Sequence, residues 1–154
     1  MKVYLRIYNL HNSLSPFSQW YWSLFTSWNH CSLQFDNNVM HCFDDFEIPR
    51  WVSLKGESML FKDKDAATSF YIGETDEKLC NIVMYVNTLP PMTPFKKFLR
   101  WPSSLTRFIF PPKRDDCVHK CSLVLNKLFN MPVITTNAED MMRKYNIRME
   151  DAIR

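Results

Sequence analysis

Glycine is nearly absent, with two in 154 residues. A glycine-rich phosphate loop is thereby excluded, and turns must be built from Asn, Asp, Pro and Ser. No run approaches the roughly 20 apolar residues needed to cross a bilayer. The opening MKVYLRIYNLHN also lacks the apolar stretch of a secretory leader. The five cysteines include no Cys-x-x-Cys pair, the commonest half of a zinc site, so neither a metal nor a cofactor is expected. Excess charge is slight too, at +3. The basic residues Lys96, Lys97, Arg100, Arg107, Lys113 and Arg114 read as solvated surface rather than a nucleic-acid contact. An odd cysteine count without a leader implies free thiols in a soluble protein made in a reducing cytoplasm.

What is present argues for a folded chain. Apolar residues make up 46% and aromatic residues 15%, too much for disorder. The length suits one domain over residues 1–154 with a real core. KVYLRIY alternates Val3, Leu5 and Ile7 against Tyr4, Arg6 and Tyr8, the period of a strand. Ser15 and Pro16 open an aromatic helix to about Phe25. Residues 29–35 and 38–44 form a hairpin around Asp36, Asn37 and Asn38, which tolerate positive φ. FEIPRWVSL reads as an edge strand and SFYIG as another short one. Thr75 caps a helix that ends at Pro90, and Thr93 caps a short one over 93–101, with a strand over 104–110 after it. Residues 116–129 carry the strongest helical stripe, Val118, Cys121, Leu125 and Leu128. A Thr136–Glu139 capping box opens the last helix. The class is α+β, a small antiparallel sheet packed against helices.

Two of the four histidines fall in the hairpin, within WNHCSLQFDNNVMHCF. If Asp36 and Asn37 form a two-residue loop, Ser32 faces His41 and Cys31 faces Cys42. His30, Ser32, Gln34 and His41 then share a polar face, while Leu33, Phe35, Met40 and both cysteines share an apolar one. His30 and Cys31 point oppositely, so the two His-Cys pairs cannot jointly enclose an ion. Taken alone, this is a hairpin with two surface histidines.

Cys117 changes the weighing. It stands in the first turn of the strongest helix, after the cap candidates Asp115 and Asp116, where backbone N–H groups and the helix dipole favour thiolate. A histidine that exchanges its proton would make it a nucleophile. Cys80 and Cys121, on apolar stripes, read as core residues.

The block from His30 to His41 resembles the histidine hairpin of the circularly permuted papain-like, or NlpC/P60-like, family. Its members include phage and poxvirus proteins and lecithin:retinol acyltransferase-like enzymes. Asp116-Cys117-Val118-His119-Lys120 is similar to the family's Asn-Cys-x-His-Phe motif at a helix start, with Asp for Asn and Lys for the aromatic. The resemblance implies a permuted papain-like fold, Cys117 as nucleophile, His30 as base and His41 as the residue orienting it. Ser32, Gln34 and His119 are candidates for the oxyanion or substrate side. It implies an amidase, peptidase or thioesterase acting on a peptide, cell-wall or other acyl substrate. The membrane helix of the acyltransferase relatives is not seen, which favours amides over lipids. The alternative is an inactive viral or phage structural protein on the same fold, with structural partners instead of a substrate.

Overall fold

The computed structural model describes residues 1–8, 30–42, 49–57, 67–89 and 117–153. The expected elements over 15–25, 93–101 and 104–110, the caps Asp115 and Asp116, and the six basic residues named above lie outside them.

Six strands form one antiparallel sheet in these residues. They are β1 (Lys2–Tyr8), β2 (His30–Phe35), β3 (Asn38–His41), β4 (Arg50–Ser53), β5 (Ala67–Glu74) and β6 (Ala152–Ile153), in the order β4-β3-β2-β1-β5-β6. With helices α1 (Leu79–Thr88), α2 (Cys117–Phe129) and α3 (Ala138–Lys144), the fold is α+β. SFYIG belongs to an eight-residue strand beside β1, and FEIPRWVSL does supply the edge, through β4. β6 was not foreseen, since two residues carry no period to read.

Three positive-φ residues show how a glycine-poor chain turns: Asp36 (49°), Asn130 (55°) and Asn146 (54°). Short polar side chains tolerate this region best after glycine. Asp36 makes the two-residue hairpin loop, with Phe35 opposite Asn38. Its carboxylate accepts from Lys2 N–H at 2.9 Å and its own N–H donates to Lys2 O at 3.1 Å, which pins the start of β1 to the hairpin. Asn130 and Asn146 follow α2 and α3 in the position where glycine usually ends a helix. Gly73 has a different reason. A Cβ there would lie 3.1 Å from the Phe129 ring, so the end of α2 could not sit as closely on β5.

The sheet sorts its faces by alternation. Val3, Leu5, Ile7, Cys31, Leu33, Phe35, Met40 and Phe70 are buried on one face. α2 lies against it with Cys117, Val118, Cys121, Val124 and Leu125 buried, and Ile82, Val86, Ile134 and Met141 complete the core. Leu128, at the far end of the expected stripe, is half-buried. At about 25 cal/mol per Å² of apolar area, each large side chain here contributes about 1.5–3 kcal/mol.

Two helix starts differ from expectation. α1 begins at Leu79 and not behind Thr75: just past the end of β5, Thr75 is tied to Met1, its N–H donating to Met1 O at 2.9 Å and its carbonyl accepting from the Met1 amino group at 2.6 Å, and its hydroxyl accepts from Glu77 N–H at 3.2 Å. Asp76 and Glu77 therefore precede the helix. α3 is capped by Asn137, whose side chain accepts from Asp140 N–H at 2.8 Å. Thr136 instead donates to the Asp140 carboxylate. That bond, with Arg143 next to it, holds the Asp140 carboxyl down at about 2. Cys80 is exposed rather than core, because α1 buries Ile82 and Val86.

Candidate active site

The hairpin register is Ser32 opposite His41 and Leu33 opposite Met40. His30 pairs with Tyr8, and Ser32 with Arg6, so Tyr8, Arg6, His30, Ser32, Gln34 and His41 lie on one face. The two imidazoles thus share a face, with Cys31 and Cys42 on the other. This face is not a wet surface, however: His30 is 5% exposed, Ser32 and His41 not at all. A buried imidazole needs hydrogen-bond partners, and both have them.

Nε2 of His30 lies 3.1 Å from Nδ1 of His41. The ring centroids are 5.4 Å apart and the planes 13° from parallel. The centroid separation exceeds the nitrogen separation by about two ring radii, so both nitrogens lie on the line between centres. The bond is therefore in the plane of both rings, the direction of the lone pair. On its other side, His41 Nε2 lies 3.0 Å from Oε1 of Glu57.

Glu57 is the residue that sequence reasoning missed. It comes 16 positions after His41, beyond β4, where the chain turns through Leu54 N–H to Asn37 O (2.8 Å) and Gly56 N–H to Ser53 O (2.9 Å). Glu57 is 7% exposed, and its carboxylate is held on three sides. Tyr8 donates its hydroxyl proton to Oε1, Arg6 pairs with Oε2, and His41 meets Oε1. Burial by itself raises the carboxyl pKa, but the bonds from His41 and Tyr8 and the charge of Arg6 outweigh it, so the group stays below its ordinary value. The same burial, beside an anion, pushes the Tyr8 phenol well up. The available signal was Arg6: a cation alternating onto the face of two histidines calls for an anion.

Ser32 and Gln34 are engaged within the sheet. Ser32 Oγ is 2.9 Å from the Tyr8 hydroxyl, and because Tyr8 gives its proton to Glu57, Ser32 is the donor. Gln34 Oε1 accepts from Arg6 at 3.0 Å, and its amide donates to Asp36 O at 2.7 Å. Arg6 also reaches Tyr8 (3.1 Å) and Ser69 (3.0 Å), so one guanidinium ties three strands together. His119 is engaged away from the imidazole pair, with Nδ1 3.1 Å from Ile134 O.

Cys117 is the first described residue of α2, and it is buried at 9% exposure. Its thiol faces Cys31, the residue after His30, on the α2 side of the sheet. The structure therefore brings Cys117 to the His30 end of β2 but onto the opposite face from the imidazoles. Cys121, one turn on, sits between Cys31 and Cys42, with its sulfur 3.9 Å from Cys31 O. Its contacts with the thiols of Cys31 and Cys42 lower its pKa, while Cys31 is raised by Cys117, then Cys121 and burial, and Cys42 by Cys121 and burial. None of the five cysteines forms a disulfide.

Among the described residues, no group of three or more His, Cys, Asp or Glu is placed to hold a metal ion, and no helix is long and apolar enough to cross a membrane. Compared with family models, curated proteins and solved structures, the chain matches none.

Proposed function

We propose that the chain is a cysteine-dependent acyl-transfer enzyme of permuted papain-like architecture, an amidase or peptidase acting on peptide or cell-wall amides. The observation that carries it is the in-plane bond between His30 and His41, backed by Glu57. Nucleophilic cysteine chemistry needs a base that is held in one orientation by a further group. Here the orienting group is itself oriented.

In this reading Cys117 gives its proton to His30 and the thiolate attacks the substrate carbonyl carbon. The C–S bond forms as the carbonyl electron pair moves to oxygen, which the N–H groups of the first turn of α2 stabilise. Collapse breaks the C–N bond, and the amine leaves with the proton from His30. Water then attacks the thioester, again losing a proton to His30, and the sulfur departs as the acid forms. Thiol and imidazole must meet around the end of β2, where His30 is the first strand residue and Cys31 already touches the thiol.

A second reading is favoured by one observation, the packing of Cys117 against Cys31 on the face away from the imidazoles. It makes the domain an inactive scaffold, for example a viral or phage structural protein that keeps the polar network for folding. An electrophilic thiol probe separates the two. The enzyme reading expects Cys117 to be alkylated rapidly at neutral pH, with a loss of about 10²-fold in rate in the His30→Gln protein, the lower range of general-base contributions. Equal rates in the two proteins leave the scaffold reading.

A further inference from the structure

The buried network holds a carboxylate that neither the family resemblance nor the thiol chemistry requires. We propose that Glu57 is a positioning residue: its carboxylate fixes the tautomers of both imidazoles and so makes Nδ1 of His30 the nitrogen that takes a proton. The inference rests on the proposed acyl-transfer reading for its consequence, but not for its geometry.

Proton accounting carries it. A carboxylate offers only acceptors, so Nε2 of His41, 3.0 Å from Oε1, must bear hydrogen. With His41 neutral, its one N–H is committed at Nε2, which leaves Nδ1 as an acceptor. The only hydrogen that can fill the 3.1 Å in-plane bond then belongs to Nε2 of His30. Nδ1 of His30 is thereby the lone-pair nitrogen. Each ring passes the constraint on by one bond, because which nitrogen is protonated is set by what the other one meets.

The surroundings keep the anion in place. Arg6 and Tyr8 both donate to Glu57, and its carboxyl is ionised at neutral pH. No proton is available from the carboxyl side to reverse the chain. When His30 takes a proton at Nδ1 it becomes a cation bonded to His41, whose far side is Glu57, so the new charge is met through one intervening ring. A neutral residue at 57 gives no such preference, since an amide can present either a donor or an acceptor to His41.

Nitrogen-15 spectra of uniformly labelled protein at neutral pH read the tautomers directly, without turnover. The expected wild-type result is two neutral rings, His30 and His41, both protonated at Nε2. In the Glu57→Gln protein this signature is expected to collapse into mixed tautomers. In Tyr8→Phe, which removes one bond to Glu57 but not its charge, it should persist. A role confined to stability predicts that both variants melt earlier and neither changes tautomer. Finding either ring protonated at Nδ1 in the wild type overturns the proposal, even if no variant folds, and so does an unchanged signature in Glu57→Gln. Tautomers as expected in a protein whose Cys117 shows no His30-dependent reactivity support the Glu57 assignment while removing the acyl-transfer reading. Reactivity with the wrong tautomers does the reverse.

Discussion

Cys31 and His30 are neighbours in β2 yet face opposite layers of the molecule: Cys31 meets the thiols of α2, and His30 meets His41 in the polar layer. One strand thus separates a cluster of four buried cysteines from a chain of two imidazoles and a carboxylate. The consequences of that division can be measured.

The first concerns His41. As a surface residue it could be replaced with little effect on folding, but it is fully buried between two partners. His41→Ala leaves Glu57 and His30 each short of a buried hydrogen bond, at about 1–3 kcal/mol per group. Thermal unfolding should show a fall of roughly 4–8 °C or more for a chain of this size. His41→Gln, which can keep one bond, should fall less. An unchanged melting temperature for the alanine variant would mean that the polar layer contributes nothing to stability.

Acid stability follows from Glu57. Its folded pKa lies below its ordinary value of 4.5, so the ionised form is favoured by folding. The stabilisation is fully present above about pH 5 and is lost as pH falls through the folded pKa. Urea unfolding between pH 7 and pH 3 should show a downward limb below about pH 4.5 that is shallower in Glu57→Gln. Asp140, with its carboxyl at about 2, adds to the limb and should be replaced by Asn in both proteins for the comparison. Identical limbs would exclude Glu57 as a source.

Thiol labelling in the native state should begin at Cys80, the one exposed cysteine. In a Cys80→Ser background, iodoacetamide followed by peptide mass analysis should find Cys117 ahead of Cys31, Cys42 and Cys121. It is the least buried of the four, and access to the reagent decides among buried thiols. First labelling at Cys31 or Cys42 would place the reactive thiol elsewhere in the cluster.

The cap of α3 offers a simpler check. Asn137→Ala should cost about 1 kcal/mol in urea unfolding, the usual effect of removing a side-chain cap. Glu139→Ala should cost much less, because Asn137, not a Thr136–Glu139 box, closes the helix. The reverse order would restore the box.

Local rules were enough for a good part of this protein. The alternation in KVYLRIY set the faces of β1. A loop of Asp36 and Asn37 set the register of His41 against Ser32, because a two-residue hairpin leaves no freedom in pairing. The stripe from Val118 to Leu125 identified the face of α2, since helical period and burial coincide there. Tertiary structure decided what those patterns leave open. Period two says which residues share a face but not whether that face is covered, and the layer of His30 and His41 is buried. The Met1–Thr75 hydrogen bonds tie Thr75 to the chain start beside β1, and α1 begins only at Leu79, a contact that no local cap signal contains. Glu57 reaches His41 through a turn after β4, a contact that no spacing encodes. Cys117 and His30 were placed on opposite faces by the packing of α2, because a helix settles where its apolar stripe meets the apolar side of the sheet, and that side belongs to Cys31.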